Sequence, residues 1–363
     1  MKSSGYMSLK KNILVTGGAG FIGSAVVRQL LELTDYRVIN VDALTYAGNV
    51  ATISDVMQSP RHEFVHADII DGSRMRQLFE KNQPLALIHL AAESHVDRSI
   101  DGPGVFITSN IVGTYTLLEE ARRYVAESGS EAAAQFRFHH VSTDEVFGSL
   151  GRDGEFTEES PYLPNSPYSA SKAASDHLVR AWGETFRLNT VVSNCSNNYG
   201  PYQFPEKLIP VIVQTALRGK AIPVYGKGDN IRDWLFVEDH ARALVEILQN
   251  GVAGRTYNVG GNAERSNLDV VHEVCSVLDD IRPRQQGGRY ADLIEFVTDR
   301  PGHDYRYAID NSRIVSELNW KPLESFSSGI RKTVNWYVDQ QSEWIETVLA
   351  GKGDEARRGL GAT

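Results

Sequence analysis

The sequence contains two cysteines, Cys195 and Cys275. They are too few for a disulfide framework or a thiolate metal cluster, and they suit a reducing compartment such as the cytoplasm. No apolar run approaches the roughly 18 residues of a membrane span. The start, Met1 to Lys11, lacks the apolar stretch of a secretory signal. Positive charge is also in deficit: 37 Lys and Arg stand against 46 Asp and Glu. That balance argues against a nucleic acid or an anionic membrane as partner, so a ligand phosphate must be met by local Arg, Lys and backbone N–H groups. There is no internal repeat and no low-complexity segment. What remains is an ordinary globular chain of 363 residues, 41% hydrophobic and 23% charged. It is long enough for two domains, or one large domain with a lobe.

The first chemistry-bearing stretch follows a short apolar run, Asn12 to Thr16, which predicts a buried strand. Gly17-Gly18-Ala19-Gly20-Phe21-Ile22-Gly23 comes next, then a helical pattern to about Leu33. Strand, glycine-rich turn and helix in that order predict a dinucleotide site. Gly17 and Gly20 let the backbone turn and approach a pyrophosphate at the helix N-terminus, with Phe21 and Ile22 behind them, and Gly23 lets the helix pack closely. A second strand, Tyr36 to Val41, ends in Asp42. An acid there accepts hydrogen bonds from an adenosine ribose and repels a 2′-phosphate, which favours NAD over NADP. Phe64 to Ile69 predicts a third strand, with Asp68 and Ile69 near an adenine; Asp68 reads equally well as a solvated loop acid. Leu85 to Leu90 predicts a fourth. Ala91 and Ala92 then leave room for a cofactor, ahead of the polar run Glu93-Ser94-His95. His95 has no second ligand at metal spacing, so no metal is expected.

A helix is predicted over Thr108 to Val125. The strand Phe136 to Val141 then leads into Ser142-Thr143-Asp144-Glu145. Ligands of an open parallel sheet bind beyond the carboxyl ends of its strands. Two adjacent carboxyl groups in different surroundings there can serve as acid and base; alone, the pair also reads as an exposed turn. Farther on, Tyr168 and Lys172 stand at i, i+4 on a helix predicted to reach Phe186. A nearby ammonium and a cationic nicotinamide favour the phenolate, so Tyr168 becomes able to take a hydroxyl proton near neutrality. Alternating strands and helices give the fold class α/β, a Rossmann-type doubly wound parallel sheet with a smaller C-terminal α/β domain.

Together, the glycine turn, Asp42 and Tyr168-x-x-x-Lys172 resemble the extended short-chain dehydrogenase/reductases. Within them, residues 89–100, 142–148, 196–210, 232–244 and 300–310 are similar to the dTDP-glucose 4,6-dehydratase family. Thr143-Asp144-Glu145 discriminates, because the sugar-nucleotide 4-epimerases carry no such pair there. Phe147 and Tyr305 depart from the family's usual Tyr and Arg, and the loop 149–167 is shorter than in many members. The resemblance implies an NAD-dependent lyase acting on a nucleotide sugar, with Thr143, Asp144, Glu145, Tyr168 and Lys172 catalytic. It implies substrate contacts from Ser94, His95, Thr143, Asn197, Lys207, Leu208, Pro223, Tyr225, Arg232, Asn267, Arg300 and His303, with Arg232 and Arg300 clamping a diphosphate. It also implies a homodimer built on the helices 108–125 and 168–186. Expected domains are 11–200 for NAD, with a returning segment near 231–260, and 201–230 with 261–341 for the substrate. Residues 342–363, rich in Gly, Glu and Arg, read as a flexible tail. A UDP-sugar 4-epimerase or decarboxylase, another nucleotide-sugar 4,6-dehydratase and a non-catalytic NAD sensor are the rival readings.

Overall fold

The computed structural model describes residues 11–299, 304–340 and 343–350. Its strands, in chain order, are β1 (Asn12–Thr16), β2 (Arg37–Asp42), β3 (His62–His66), β4 (Ala86–His89), β5 (Arg137–Thr143), β6 (Thr190–Cys195), β7 (Asn197–Tyr199), β8 (Ile222–Tyr225), β9 (Ile231–Phe236), β10 (Thr256–Val259), β11 (Glu264–Ser266) and β12 (Ile294–Val297). Seven of them form one parallel sheet in the order β10-β6-β5-β4-β1-β2-β3. The strand order reverses between β1 and β4, and such a switch point opens a crevice at the strand ends.

Both faces of the sheet are covered, which is why its strands read as continuous apolar runs rather than alternating ones. Ile13 and Val15 pack with Val27 and Leu30 of the helix Phe21–Leu33 and with Ala241 and Leu244 of the helix Val237–Asn250. Leu14 points the other way, as strand alternation requires. It joins Leu78, Phe79, Leu117, Leu118 and Val179 from the helices Gly72–Asn82, Gly113–Glu127 and Pro167–Phe186. A second apolar cluster holds Tyr199, Ile212, Val224, Trp234, Val274 and Tyr337. It lies under two small sheets, β11-β9-β7 and β12-β8. Among the described residues no helix is long and apolar enough to cross a membrane.

Three elements differ from the sequence reading. β3 stops at His66, so Asp68 and Ile69 lie in the turn that follows. There Asp68 Oδ1 accepts from Ile70 N (3.1 Å) and Asp71 caps the next helix; such side-chain acceptors compete with strand pairing. The helix expected from Thr108 begins earlier, at Pro103, and passes through a π-turn over Ile107–Val112 before running to Glu127. Finally, the expected tail is not loose at its start. Glu343–Ala350 is a helix whose Trp344, Ile345 and Val348 are buried, and Trp344 packs against Tyr202 and Trp336. Three apolar residues at helical spacing were outweighed by the polar composition around them.

Candidate active site

The cleft at the switch point is walled by the residues that follow the strands, Gly17 to Gly23, Asp42 to Gly48, Ala67 to Ile69, Leu90 to Ser94 and Val141 to Glu145 among them, with Tyr168 and Lys172. Cys195 to Asn198, Gln203, Phe204 and Lys207 face them from the second half of the chain. The glycine turn is shaped by close approach. Gly17 has φ +76°, and a Cβ there would lie 2.6 Å from Ala91 N; one on Gly23 would run into Gly17 O. Gly20 begins the helix Phe21–Leu33 without a side-chain cap and with no acid in the first turn. Its N-terminal amides are therefore left for an anion, and the cradle fits the pyrophosphate of a dinucleotide.

Asp42 closes this end of the cleft. Its Oδ2 accepts from Ala19 N (2.9 Å) and its Oδ1 from Leu44 N (2.8 Å). The carboxylate thus braces the glycine turn at the place where a ribose would lie. Asp42→Ala is expected to weaken NAD binding about tenfold, the scale of one hydrogen bond to a charged group. It should also narrow the preference over NADP, as titration with the two cofactors side by side would show. A wild-type preference for NADP would refute the role.

At the other end, β5 delivers Thr143 as its last residue, and a 3₁₀ turn, Asp144–Phe147, follows. Glu145 N donates to Thr143 Oγ1 (3.3 Å), while Val146 and Phe147 anchor the turn in a cluster with Phe156. Asp144 is 1% exposed. Burial, then the charges of Glu145 and Asp233, push its carboxyl well above the ordinary range, against Arg232 and a hydrogen bond from Thr143. The helix Pro167–Phe186 starts with a Ser166–Ser169 capping box and Pro167 at its first turn. This fixes Tyr168 and Lys172 on the inner face, both buried, and Lys172 Nζ donates to Val141 O (2.9 Å). The Tyr168 phenol is held high by burial and by Glu145 and Cys195, with Thr143 opposing. In the protein alone the phenol therefore stays protonated, and the lowering expected near neutrality depends on a bound cation.

Asn110, on the π-turn, ties these parts together. Its side chain bonds Glu93 N (2.8 Å), Glu93 O (3.0 Å) and Ser171 Oγ (2.8 Å), joining the loop after β4 to the helix of Tyr168.

Of the expected substrate residues, Ser94, Thr143, Asn197 and Lys207 wall the cleft. His95 is buried just behind, with Nε2 3.4 Å from Glu206 Oε1. Leu208 opens the helix Leu208–Leu217, Pro223 and Tyr225 lie in β8, and Asn267 opens the helix Asn267–Ile281; none of these is on the cleft wall. Arg232 does not extend as an open clamp. It is buried, stacks 4.3 Å over the Tyr307 ring, and donates to Ile231 O, Tyr305 O and Asp304 O. Arg300 and His303 lie outside the described residues. The sequence reading missed Thr45, Tyr46 and Gly48 in the loop after β2, and also Glu206, Asp233 and Tyr307. The first three were legible as a glycine- and tyrosine-bearing loop at a strand end; the others become neighbours only through the second sheet.

Similarity to known proteins agrees with this geometry. The sequence model of the GDP-mannose 4,6 dehydratase family matches residues 14–333. The dTDP-glucose 4,6-dehydratase of Salmonella typhimurium is 58% identical over 348 residues, covering 93% of this chain and 96% of that protein. The crystal structure of the Streptomyces venezuelae dTDP-glucose 4,6-dehydratase, solved with NAD, aligns with a TM-score of 0.84 and 43% identity over 93% of this chain and 99% of that one. The Thermotoga maritima UDP-glucose 4-epimerase aligns at 0.79, but with 27% identity over 91% and 99%. The chain belongs to the dTDP-glucose 4,6-dehydratase family, among the extended short-chain dehydrogenase/reductases.

Proposed function

We propose that the chain converts dTDP-glucose to dTDP-4-keto-6-deoxyglucose with loss of water, for deoxysugar synthesis in the cytoplasm. The observation that carries this reading is the acid pair. Asp144 is buried beside Glu145, its carboxyl pushed well above the ordinary range, in the same cleft as Tyr168 and Lys172. A 4-epimerase or a cofactor sensor has no use for that combination. NAD would be held by Gly17, Gly20, Phe21, Ile22 and Gly23 at its pyrophosphate, by Asp42 at a ribose, by Asp68 and Ile69 near the adenine, and by Ala91, Ala92, Tyr168 and Lys172 toward the nicotinamide. When bound, it would supply the redox chemistry, taking up a hydride from carbon 4 of the sugar and giving one back at carbon 6.

The chain's residues manage the protons. Tyr168, helped by the Lys172 charge, takes the proton of the 4-hydroxyl, and Thr143 hydrogen-bonds that oxygen. The new ketone acidifies carbon 5, whose proton Glu145 takes, and carbon 5 is reprotonated as the hydride returns to carbon 6. Asp144 protonates the leaving 6-hydroxyl, a role open to a carboxyl that enters the cycle neutral. Ser94, Asn197 and Lys207 bind the sugar nucleotide from the walls, and Arg232 acts by its charge behind Asp144. We assign 11–200 and the return near 231–260 to NAD, and 201–230 and 261–341 to the substrate; the packing of the helix Val237–Asn250 against the large sheet supports the return. Incubation with dTDP-glucose and UDP-glucose in parallel, with product analysis by mass, tests the reading. A dehydrated 4-keto-6-deoxy sugar from dTDP-glucose is expected, and an epimerised or decarboxylated product would overturn it.

We also infer a homodimer. Val105, Ile107, Val112 and Tyr115 on the helix from Pro103 to Glu127, and Phe186 at the end of the helix Pro167–Phe186, are 44–50% exposed. Apolar surface of that kind on two neighbouring helices suits a four-helix contact between copies. Tyr115→Glu is expected to shift the sedimenting species from dimer toward monomer in analytical ultracentrifugation. A wild-type chain that sediments as a monomer at every concentration would count against the dimer.

A further inference from the structure

The helix Pro167–Phe186 carries a third ionisable group on the face of Tyr168 and Lys172. Asp176, one turn beyond Lys172, is 4% exposed, and no step above uses it. Its Oδ2 accepts from Ser142 Oγ (2.8 Å), Tyr162 OH (2.9 Å) and Asn194 Nδ2 (3.3 Å), and its Oδ1 lies 3.1 Å from His140 Nε2. Partners from β5, β6 and the loop before the helix make a built pocket for one carboxyl. It stands away from the nucleotide cleft, for Asp176 and Tyr162 wall a separate groove with His177 and Arg180, while Lys172 walls the cleft.

Lys172 shows what a buried acid does there. An ammonium in a dry interior tends to lose its proton unless a negative charge is near. Burial pulls Lys172 down, and Asp176 is the foremost charge holding it up. In return, Lys172 and the three donors restrain the carboxyl against burial, which leaves it at about 6 and mostly ionised at neutral pH. The other groups around Asp176 do not compete. His140 is driven neutral by burial and by Lys172, and burial and Asp176 keep the Tyr162 phenol protonated. His177, the next residue, stacks on the Tyr162 ring instead. The acidic groups that act on the Tyr168 phenol directly are Glu145, Cys195 and Asp144.

We propose that Asp176 is a positioning residue, the counter-ion that keeps Lys172 charged and thereby sets the pH at which Tyr168 begins to accept a proton. The proposal rests on the roles given above to Tyr168 and Lys172. It is tested by following kcat and KM against pH on the full chain with NAD. The Tyr168 phenol is read independently, as the ultraviolet tyrosinate difference from Tyr168→Phe. Asp176→Asn keeps the side-chain shape and removes the charge. The acid limb of kcat and the phenol titration should both move up by about one pH unit, so that kcat falls about tenfold near neutrality and recovers at higher pH. KM should stay within about twofold. Asp176→Glu should return the limb toward its original position. Tyr162→Phe deletes a single donor, which lets the carboxyl rise and shifts the limb the same way by less; it decides the matter if Asp176→Asn does not fold. A limb that stays in place in the variants that fold, or a loss equal at every pH, overturns the proposal. Should Tyr168→Phe retain activity, the parent reading falls instead.

Discussion

Asp144→Asn and Glu145→Gln are each expected to slow formation of the 4-keto-6-deoxy sugar about 100- to 10,000-fold, the value of one positioned proton-transfer group. Both substitutions keep the size of the side chain and remove only its acid or base function. NAD binding should be unaffected, because the glycine cradle and Asp42 sit at the other end of the cleft. Oxidation at carbon 4 should also survive, so sugar is oxidised without losing water. The two carboxyls differ in surroundings: Asp144 is 1% exposed, whereas Glu145 is only partly buried. Asp144 works as an acid and so must be protonated. Its contribution is present below its raised pKa and is lost as pH rises through that value. Asp144→Asn should therefore abolish the alkaline limb that Asp144 causes, as well as lowering the rate. Rapid quenching with product analysis would decide, and wild-type rates in both variants would reduce the pair to a structural turn.

Tyr168→Phe should stop the cycle one step earlier, with a loss of the same 100- to 10,000-fold order. Here the reduced cofactor should not accumulate at all, which separates this variant from the two above. The phenol is held up by burial and Glu145, so its base form depends on Lys172 and on the positive nicotinamide ring brought by the cofactor. Lys172→Met should consequently move the acid limb to higher pH. A Tyr168→Phe protein that accumulates reduced cofactor at the wild-type rate would assign the first proton to another group.

Most of the fold was legible because the sequence obeys local rules. Ile13, Leu14 and Val15 read as a buried strand, Gly17 to Gly23 as the turn after it, and Tyr168 to Phe186 as a helix. The cleft residues Asp42, Thr143 to Glu145, Tyr168 and Lys172 were legible because each follows a strand or opens a helix. What escaped was set by distance along the chain. Arg232 has the composition of a phosphate clamp, yet its guanidinium is occupied by carbonyls of residues 304 and 305, which no local pattern reveals. Asp233 and Tyr307 reach the acid pair only after β9 and the segment beyond residue 304 come together. The helix Glu343–Ala350 was misread because polar neighbours set its average while Trp344 sets its energetics.

The place of β10 in the large sheet bears on how the chain folds as it is made. Its partner β6 ends at Cys195, but β10 begins only at Thr256, after β7, β8, β9 and the helix Val237–Asn250. On a ribosome adding about 5–20 residues per second, the β6 edge waits several seconds for its neighbour. During that wait an unpaired strand edge faces solvent, and Val27 and Leu30 lack the helix that covers them. The nascent chain is thus most open to misassociation, and to chaperone capture, between Cys195 and Val259. A ribosome-bound chain halted before Thr256 should be far more sensitive to protease than one halted well past Val259.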